Sequence, residues 1–243
     1  MTIAIMQPYL FPYIGYWQLI NAVDTFVIYD DVNYINKGYI NRNSILSNGK
    51  SQQFTLELIG ASQNKLINEI EVGNNLKKLL KTIEMSYKKA PYFDNIFLII
   101  EDIFNQEEKN LAKFIGYSLQ KIANYLDIDT KFIYSSHIEK DNTLKAQDKI
   151  IDICKKLEAR VYINSIGGQE LYNKEKFKEE NIKLNFLKTQ FIEYKQFKND
   201  FVPSLSIIDI LMFNSKDEIK NMLNRYELVW KNLLFMFRIM EQD

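Results

Sequence analysis

The first thirty residues place the strongest constraint on the fold. "TIAIM" (2–6) is short, apolar and rich in β-branched residues, which is typical of a buried parallel strand. "FPYIGYWQLINAV" (11–23) has apolar residues at helical spacing, with Pro12 as the expected first helical residue, and "DTFVIYDD" (24–31) predicts a second strand. Strand, turn, helix and strand in this order form a βαβ unit with a right-handed crossover.

The rest of the chain repeats this alternation after a helical interval. Asn48-Gly49 within residues 45–59 predicts an antiparallel hairpin, and residues 74–126 predict two or three helices separated at Pro91. Further strands are expected at 130–136, 160–165 and 182–189, and further helices at 143–159 and 206–223. The pattern predicts an α/β fold: a mainly parallel, Rossmann-like sheet with helices on both faces, an antiparallel hairpin and a helical insertion.

The expected domain organisation is one α/β domain over residues 1–227, with the helical insertion at about 74–126. Residues 228–243 form an apolar tail with helical spacing. We interpret the tail as a core helix or as the contact of a homodimer. Peripheral membrane attachment is the alternative, although Lys231 and Arg238 alone make a thin basic face.

Charge and cysteine content narrow the function classes. Lysine plus arginine (31) balances aspartate plus glutamate (31), so no overall field favours nucleic acid. The single cysteine, Cys154, excludes an internal disulfide framework and fits a reducing compartment, so we expect a cytoplasmic protein. No apolar run approaches the roughly 20 residues of a transmembrane helix.

The turn after the first predicted strand is unusually rigid and aromatic. In open α/β sheets ligands bind beyond the carboxyl ends of the strands, where this turn is expected to lie. Gln7 is a candidate for hydrogen bonds, Tyr9, Phe11 and Tyr13 for stacking on a base or sugar, and Gly15 for close backbone approach. The alternative is that these side chains only build a packed turn, and we favour packing for Phe11.

The segment after the second predicted strand, residues 29–43, concentrates charged and amide side chains. Lys37 and Arg42 are candidates for anion contacts, and Asp30 or Asp31 for proton transfer. The other candidates for substrate contacts in this segment are Tyr34, Asn41 and Asn43. The alternative is that the aspartates cap a turn and the cations remain solvated.

A third candidate segment, "YINSIGGQELY" (162–172), again places a Gly-rich turn after a strand. Gly167 and Gly168 suit an anion-binding turn, with Asn164 and Ser165 as side-chain contacts, although ordinary turn formation explains a glycine pair equally well. The only histidine, His137, follows a predicted strand and is a candidate general base. A surface or capping role is its alternative.

Several common mechanisms lack support in the sequence. It contains no P-loop, no GxGxxG after the first strand and no Cys/His cluster for zinc. Cys154 lies in a helical pattern where burial is expected, which disfavours a cysteine nucleophile. The residues identify no cofactor and no metal site.

The segment "QPYLFPYIGYWQLINAVDTFVIYDDVNYINKGYINRN", together with "APYF" (90–93), "YINSIGGQELY" and "SIIDILMF", resembles the WbqC-like family. The resemblance covers nearly the whole chain and stops near Glu227. The positions that match the family motifs are Gln7, Pro8, Tyr9, Phe11, Pro12, Gly15, Asp30, Asp31, Tyr34, Lys37, Asn41, Arg42, Asn43, Asn164, Gly167, Gly168 and Asp209. Tyr39 departs from the pattern, which has tryptophan there.

The resemblance implies a bacterial protein encoded among genes for O-antigen and related surface polysaccharides, beside enzymes that make nucleotide-linked amino sugars. The leading hypothesis is acyl or aminoacyl transfer to the amine of such a sugar, from a donor that the sequence does not identify. In this hypothesis Arg42 and Lys37 hold the diphosphate, and Asp30, Asp31 or His137 accepts the amine proton.

Two alternatives remain open. One is a non-catalytic protein that binds a sugar nucleotide during polysaccharide assembly. The other is ATP-dependent nucleotidyl transfer, because "PYIGYWQLI" loosely resembles the turn of HIGH-type nucleotidyltransferases, with Tyr16 at the position of the key histidine.

Overall fold

A computed structural model describes residues 1–198 and 200–230. The strands in this part of the chain are β1 (Thr2–Met6), β2 (Thr25–Ile28), β3 (Arg42–Ser47), β4 (Lys50–Thr55), β5 (Leu58–Ile59), β6 (Glu71–Val72), β7 (Lys131–Tyr134), β8 (Val161–Ser165), β9 (Lys183–Thr189) and β10 (Tyr226–Val229). The α-helices are α1 (Ile14–Asn21), α2 (Leu76–Tyr87), α3 (Phe93–Asn105), α4 (Leu111–Tyr125), α5 (Ala146–Lys156), α6 (Lys174–Glu179), α7 (Ile207–Phe213) and α8 (Lys216–Leu223). Short 3₁₀ turns lie at Ile67–Glu69, Ser135–His137 and Ile166–Leu171.

A six-stranded sheet organises the fold, with the strand order β10-β9-β8-β1-β2-β7. Neighbouring strands from β9 to β7 are parallel, and β10 alone pairs antiparallel to its neighbour β9. The predicted mainly parallel, Rossmann-like α/β sheet is therefore confirmed. Its strand order reverses direction between β1 and β8, so the two halves of the sheet are built outward from these central strands.

Helices cover both faces of this sheet, as predicted. Ala4, Phe26 and Ile28 point to the larger core, which contains side chains of α1 to α4, α7, α8 and the hairpin. Ile3 and Ile5 point to a smaller core under α5 and α6. Successive strand residues alternate between the faces because the side-chain period of a strand is two.

The β3–β4 hairpin is confirmed at the predicted position. Its turn is Asn48-Gly49, and both residues have positive φ, 50° and 72°. A two-residue turn of this kind matches the right-handed twist of the paired strands, and asparagine and glycine tolerate it best. The antiparallel pair β5–β6 was not predicted, because each of its strands has only two residues.

The predicted helical insertion consists of three helices, α2, α3 and α4. Pro91 lies between α2 and α3, where its ring ends one helix before the next begins. The side chain of Asn110 caps α4 by accepting a hydrogen bond from the Lys113 amide at 3.1 Å.

Three predicted boundaries were wrong. Helix α1 begins at Ile14, two residues after Pro12, and β2 ends at Ile28, so Asp30 and Asp31 lie beyond the strand. The predicted helix 206–223 is two helices, because Ser215 forms a capping box with Glu218 and starts α8 anew.

The predicted helical tail begins differently. Leu228 and Val229 belong to β10, whose partners in β9 are Leu187 and Phe186. Residues 231–243, which hold most of the predicted tail, lie outside the described residues. In the described part of the chain, no helix combines the length and hydropathy needed to cross a bilayer.

Candidate functional site

The carboxyl edge of the parallel sheet has its topological switch point between β1 and β8, and the fold predicts a crevice there. The connection after β1 leads to α1 over the larger core, and the connection after β8 leads to α6 over the smaller core. Two connections that leave neighbouring strands toward opposite faces open a gap between them, which is where open α/β proteins bind ligands.

The turn from β1 to α1 is held by hydrogen bonds to its carbonyl groups. The Gln7 carbonyl accepts from the Tyr16 hydroxyl at 2.8 Å, and the Pro12 carbonyl accepts from the Trp17 indole at 3.1 Å. Phe11 is fully buried at a φ of 45°, so its side chain packs in the core rather than in a binding site. The aromatic turn is therefore partly a packing device, while Tyr13 is exposed.

The turn and the 29–43 segment meet directly. The Leu10 amide donates to the carbonyls of Tyr39 and Ile40, each at 3.2 Å. The Asn43 amide group donates to the carbonyls of Leu10 at 3.1 Å and Phe11 at 2.8 Å. Two segments separated by some thirty residues thus form one continuous wall at the edge of the sheet.

A cavity of ≈ 230 Å³ opens on this wall, and we call it the tyrosine cavity. Its lining residues are Tyr9, Pro12, Tyr13, Tyr39, Asn43 and Ser204. The Tyr9 and Tyr39 ring centroids lie 6.1 Å apart, with planes tilted by 50°. Partial burial of the phenol raises the pKa of Tyr9 and, although its side chain is 41% exposed, that of Tyr13, so both hydroxyls stay protonated and able to donate hydrogen bonds at neutral pH.

A second cavity of ≈ 220 Å³ adjoins the first and shares Tyr13 and Ser204 with it. We call it the loop cavity, because much of its wall comes from the 190–205 segment between β9 and α7. The aromatic part of this wall is Phe191, Tyr194 and Phe201. Among the described residues, none that lines either cavity carries a charged side chain.

Gly15 allows the start of α1 to lie against the end of β9. A Cβ atom at this position would stand 2.5 Å from the Thr189 hydroxyl and 2.5 Å from the Tyr13 ring. Any larger residue would force these groups apart. The glycine therefore fits packing between α1 and the cavity wall, in addition to the ligand approach expected from the sequence.

A buried carboxylate anchors the wall of the loop cavity. Asp209 on α7 accepts hydrogen bonds from the Tyr87 hydroxyl at 2.7 Å, the Tyr194 hydroxyl at 2.6 Å and the Gln196 amide at 2.6 Å. Burial raises the pKa of Asp209, while these three donors act in the opposite direction. The carboxylate thus ties α2, α7 and the 190–205 segment together.

Asp30 lies at the end of β2 in a dense set of hydrogen bonds from the start of the turn after β7. Its carboxylate accepts from the Ser135 hydroxyl at 3.0 Å, and from the amide and hydroxyl of Ser136 at 2.9 and 2.6 Å. The Asn68 amide group adds a bond at 3.2 Å. Asp30 is buried, so its hydrogen-bonding capacity is largely used within the protein.

Asp31 faces the other side of the sheet and pairs with two lysines. Lys140 lies 2.8 Å and Lys149 3.2 Å from the same carboxylate oxygen, and the side chain of Lys140 is only 2% exposed. Burial opposes the charged form, but the hydrogen bonds of Lys140 and Ser135 and the charge of Lys149 outweigh it and lower the pKa of Asp31. The Ser135 hydroxyl contacts both aspartates, so it bridges them.

His137 is exposed at the end of the 3₁₀ turn after β7. Its ring centroid lies 5.4 Å from that of Tyr134, whose hydroxyl approaches Gly116 on α4. Burial and the charge of Asp30 raise the pKa of Tyr134 to about 12. The imidazole thus lies beside a protonated phenol and directly follows Ser135 and Ser136, which donate hydrogen bonds to Asp30.

Other predicted residues of the 29–43 segment have structural partners. The Tyr34 hydroxyl donates to the Asn41 side chain at 2.8 Å, and Asn41 in turn donates to the Leu56 carbonyl at 2.8 Å. Arg42 lies on β3 rather than in a loop, and its guanidinium donates to the carbonyls of Lys37 and Gly38. Lys37 is exposed, with a φ of 61°.

The segment after β8 forms a 3₁₀ turn at the other side of the crevice. The Asn164 side chain donates to the Tyr172 hydroxyl at 3.0 Å and accepts from the Ser165 amide at 2.7 Å. A Cβ atom on Gly168 would lie 3.0 Å from the Asn164 side chain, whereas one on Gly167 would meet nothing within 4 Å. Packing thus explains Gly168 but not Gly167.

Several residues of this region were missed by the sequence analysis. They are Asn68, Ser135, Ser136, Lys140 and Lys149 around the aspartates, and Tyr194, Gln196 and Ser204 at the loop cavity. Ser135 and Ser136 are the last residues of the strand predicted at 130–136 and directly follow β7, so their position at the sheet edge was a usable signal. The segment 190–205 has no periodicity that marks it.

Comparison with known proteins identifies the family to which the chain belongs. Residues 7–221 match the sequence profile of the WbqC-like protein family, which spans most of the chain. The chain belongs to the WbqC-like protein family. The match includes the turn after β1, the 29–43 segment, the 3₁₀ turn after β8 and Asp209, so the residues that form the cavities and the crevice lie within the region that defines the family.

One relative is the uncharacterized protein Rv1507c of Mycobacterium tuberculosis. It is 27% identical over 214 residues, which cover 86% of this chain and 92% of the relative. No solved structure matches the chain.

Proposed function

We propose that this protein transfers an acyl or aminoacyl group to the amine of a nucleotide-linked amino sugar. The observation that carries the proposal is the pair of adjoining cavities at the carboxyl edge of the sheet, one for each reaction partner. The resemblance to the WbqC-like family, whose genes accompany those for nucleotide-linked amino sugars, supports the sugar as acceptor. Transfer requires both reactants to be held together, because positioning supplies much of the rate of a two-substrate reaction.

The nucleotide of the acceptor is placed at the crevice between β1 and β8. The backbone at Gly167 faces open space there, since a Cβ atom would have no neighbour within 4 Å. Gln7 and Ser165, both partly exposed at the ends of these strands, are the proposed hydrogen-bonding side chains. A ligand that approaches the Gly167 backbone closely would explain a glycine that the fold itself does not need.

The diphosphate is assigned to the exposed ammonium group of Lys37. Arg42 supports this position, because its Nε atom donates to the Gly38 carbonyl at 2.9 Å and its guanidinium also contacts the Lys37 carbonyl. Arg42 therefore acts mainly by holding the turn that presents Lys37. A lysine ammonium is a flexible point charge suited to a phosphate group.

The general base is assigned to His137. The carboxylate of Asp30 is buried and accepts hydrogen bonds from Ser135 and Ser136, so it has no free oxygen for the amine proton. Lys140 and Ser135 lower the pKa of Asp31 against the effect of burial, which makes Asp31 a weak base. His137 is exposed, and an imidazole is a common general base in enzymes. The aspartates are assigned to holding the turn that carries His137.

The proposed transfer forms one amide bond and breaks the bond between the acyl group and its donor. The neutral amine nitrogen of the sugar attacks the acyl carbonyl carbon and forms the amide bond, while the bond from that carbon to the donor's leaving group breaks with its electron pair. The amine proton passes through solvent to His137, which lines neither cavity, and the leaving group takes up a proton from solvent. Tyrosine hydroxyls of the tyrosine cavity hold the sugar through hydrogen bonds.

The test combines UDP- and dTDP-linked amino sugars with acyl-CoA or aminoacyl donors and follows amide formation by mass spectrometry. His137→Gln is expected to lower turnover by about 10²-fold or more, with thermal stabilisation by the sugar nucleotide preserved. The control is Lys121→Gln, which changes an exposed side chain on α4. Undiminished turnover of the His137 variant would contradict the assignment of the base.

A second function is favoured by one observation, the complete pairing of both aspartates within the protein. A site without an available carboxylate base fits a protein that binds a sugar nucleotide without converting it. The same experiment separates the two functions. A raised melting temperature with these sugars and no product with any donor would support binding alone, and pyrophosphate release from ATP would support adenylation instead.

A further inference from the structure

We infer that the loop cavity binds the carbon chain of the transferred group, and that this chain is short and apolar. The inference rests on the proposed acyl transfer and deepens it by naming the class of donor. It concerns the cavity formed by the 190–205 segment, the start of α1 and α7, which the acceptor sugar does not need.

The chemistry of the lining supports an apolar occupant. Ile14, Ile192, Leu205 and Ile210 contribute aliphatic surface, and no charged side chain lines the cavity in the described residues. An ionised group placed here would lose hydration and meet no opposite charge, because the polar side chains of the lining, Tyr13, Thr189, Gln190, Tyr194 and Ser204, are all neutral. A hydrocarbon chain instead gains from each methylene group removed from water, by about fourfold in affinity per group.

The size of the cavity limits the chain to a few carbons. Its volume is ≈ 220 Å³, below the roughly 300–1,000 Å³ of sites that hold a whole drug-sized ligand. It therefore suits a short or branched acyl group, or the side chain of an apolar aminoacyl group, rather than a long fatty chain.

The position of the loop cavity beside the tyrosine cavity places the reacting carbonyl group where the two cavities meet. Tyr13 and Ser204 line both cavities, so a group that enters from the loop cavity meets the sugar at these two residues. Both side chains carry a hydroxyl group, which can donate a hydrogen bond to a carbonyl oxygen. The carbon chain then lies on the side of Ile192 and Leu205, and the amine on the side of Tyr9.

The wall is held firmly enough to discriminate between chain lengths. Tyr194 and Gln196 are bonded to Asp209 at 2.6 Å each, and Gln196 also exchanges hydrogen bonds with Val202 at 2.7 and 3.0 Å. These bonds hold Gln196 against both Val202 and α7. A wall fixed in this way cannot easily yield to a longer chain, because packed surroundings relax only partly around extra atoms.

The experiment measures transfer from acyl-CoA donors that run from acetyl to octanoyl. For the wild-type protein kcat/KM is expected to rise by about fourfold per methylene group and then to fall once the cavity is full. Ile192→Phe should move the maximum to a shorter chain, and Ile192→Ala to a longer one. A flat profile, or one that the two Ile192 variants leave unchanged, overturns the inference.

Phe191→Ala provides a variant that should fold normally, because the Phe191 side chain is 69% exposed at the cavity. It should reduce the gain per methylene group, whereas Leu98→Ala, which truncates a side chain that is 64% exposed on α3, should not. Equal effects of the two substitutions would count against the inference.

A binding measurement separates failure of this inference from failure of the proposed function. Straight-chain carboxamides from acetamide to octanamide are titrated against the full chain, and isoleucine methyl shifts are followed by NMR. Affinity that increases with length and is weakened by Ile192→Phe supports the cavity assignment even if no donor yields product, in which case acyl transfer alone fails. Carboxamides that bind without length dependence refute the cavity assignment.

Discussion

Replacing Asp209 with alanine should destabilise the protein more than the same replacement of an exposed carboxylate would. Asp209 is fully buried, and its carboxylate is the acceptor for Tyr87, Tyr194 and Gln196. Alanine removes this acceptor and leaves the donors in place. A buried donor left without a partner costs free energy because its hydration is not restored.

The magnitude follows from the burial of the three donors. Tyr87 is 0% and Gln196 2% exposed, so both lose their acceptor out of reach of water. At ~1–3 kcal/mol for each buried donor left without an acceptor, these two donors give a cost of about 2–6 kcal/mol. Tyr194 adds less, because it lines the loop cavity where water can replace the carboxylate. Relief of the buried charge offsets part of the total, so we expect about 3 kcal/mol.

Urea unfolding at neutral pH, followed by circular dichroism, measures this cost. Tyr194→Phe removes one donor and should cost about 1 kcal/mol. Asp102→Ala, which breaks an exposed pair with Lys121, should cost less than about 1 kcal/mol. An Asp209→Ala variant that loses no more free energy of unfolding than Asp102→Ala would refute the reasoning.

The pH dependence provides a second check on Asp209. Its folded pKa is raised, so the folded state holds the proton more tightly than the unfolded state. The contribution of this group to stability is therefore largest at low pH and declines as the pH rises through the folded pKa. The difference in unfolding free energy between wild type and Asp209→Ala should shrink with rising pH, and a difference that grows would contradict the direction of the pKa.

Other predictions concern the ion pairs of Asp31, two glycines and the thiol of Cys154. The folded pKa of Asp31 is lowered from 3.8, so its contribution is complete above that value and is lost as the pH falls through the folded pKa; acid titration of Asp31→Asn should lack this loss. At neutral pH the same variant leaves Lys140 without its carboxylate and should cost about 3–5 kcal/mol in urea unfolding. Gly15→Ala should cost about 1–3 kcal/mol, whereas Gly167→Ala should melt like wild type but bind sugar nucleotides more weakly; equal melting temperatures for both variants would contradict the contacts at these positions. Burial raises the pKa of the Cys154 thiol to about 12, so it should resist thiol reagents at pH 8 until urea is added, and rapid labelling of the native protein would contradict its burial.

Local patterns in the sequence were enough to predict most of the sheet. The Asn48-Gly49 turn and the β-branched first strand are features whose physical cause lies within a few residues. Strand β10 was not predicted, because it is a four-residue edge strand whose pairing with β9 comes from tertiary structure. Edge strands bury little surface and so carry a weak hydrophobic pattern.

The partners of the candidate site residues were harder to predict than the residues themselves. Asp30 and Asp31 were identified from their position after a strand, but the serine that bridges them is 105 residues from Asp30. Lys140 and Lys149 also come from distant segments. Whether a carboxylate is a base or part of an ion cluster depends on such distant groups, because they decide its pKa.

The segment 190–205 showed no helical or strand period, and its importance emerged only from the cavity that it encloses. Nothing in the local sequence indicates that Tyr194 and Gln196 share an acceptor on α7. The contact depends on how the chain returns across the sheet after β9.

The same 190–205 segment also contributes Phe197 and Lys198 to a depression of ≈ 550 Å³ beside the β3–β4 turn, where Lys88 and Lys89 add positive charge. One stretch of chain between β9 and α7 thus faces two separate openings of the molecule. Replacing this stretch by that of a relative would therefore change the shape of both openings at once, while the parallel strands beneath keep their pairing register.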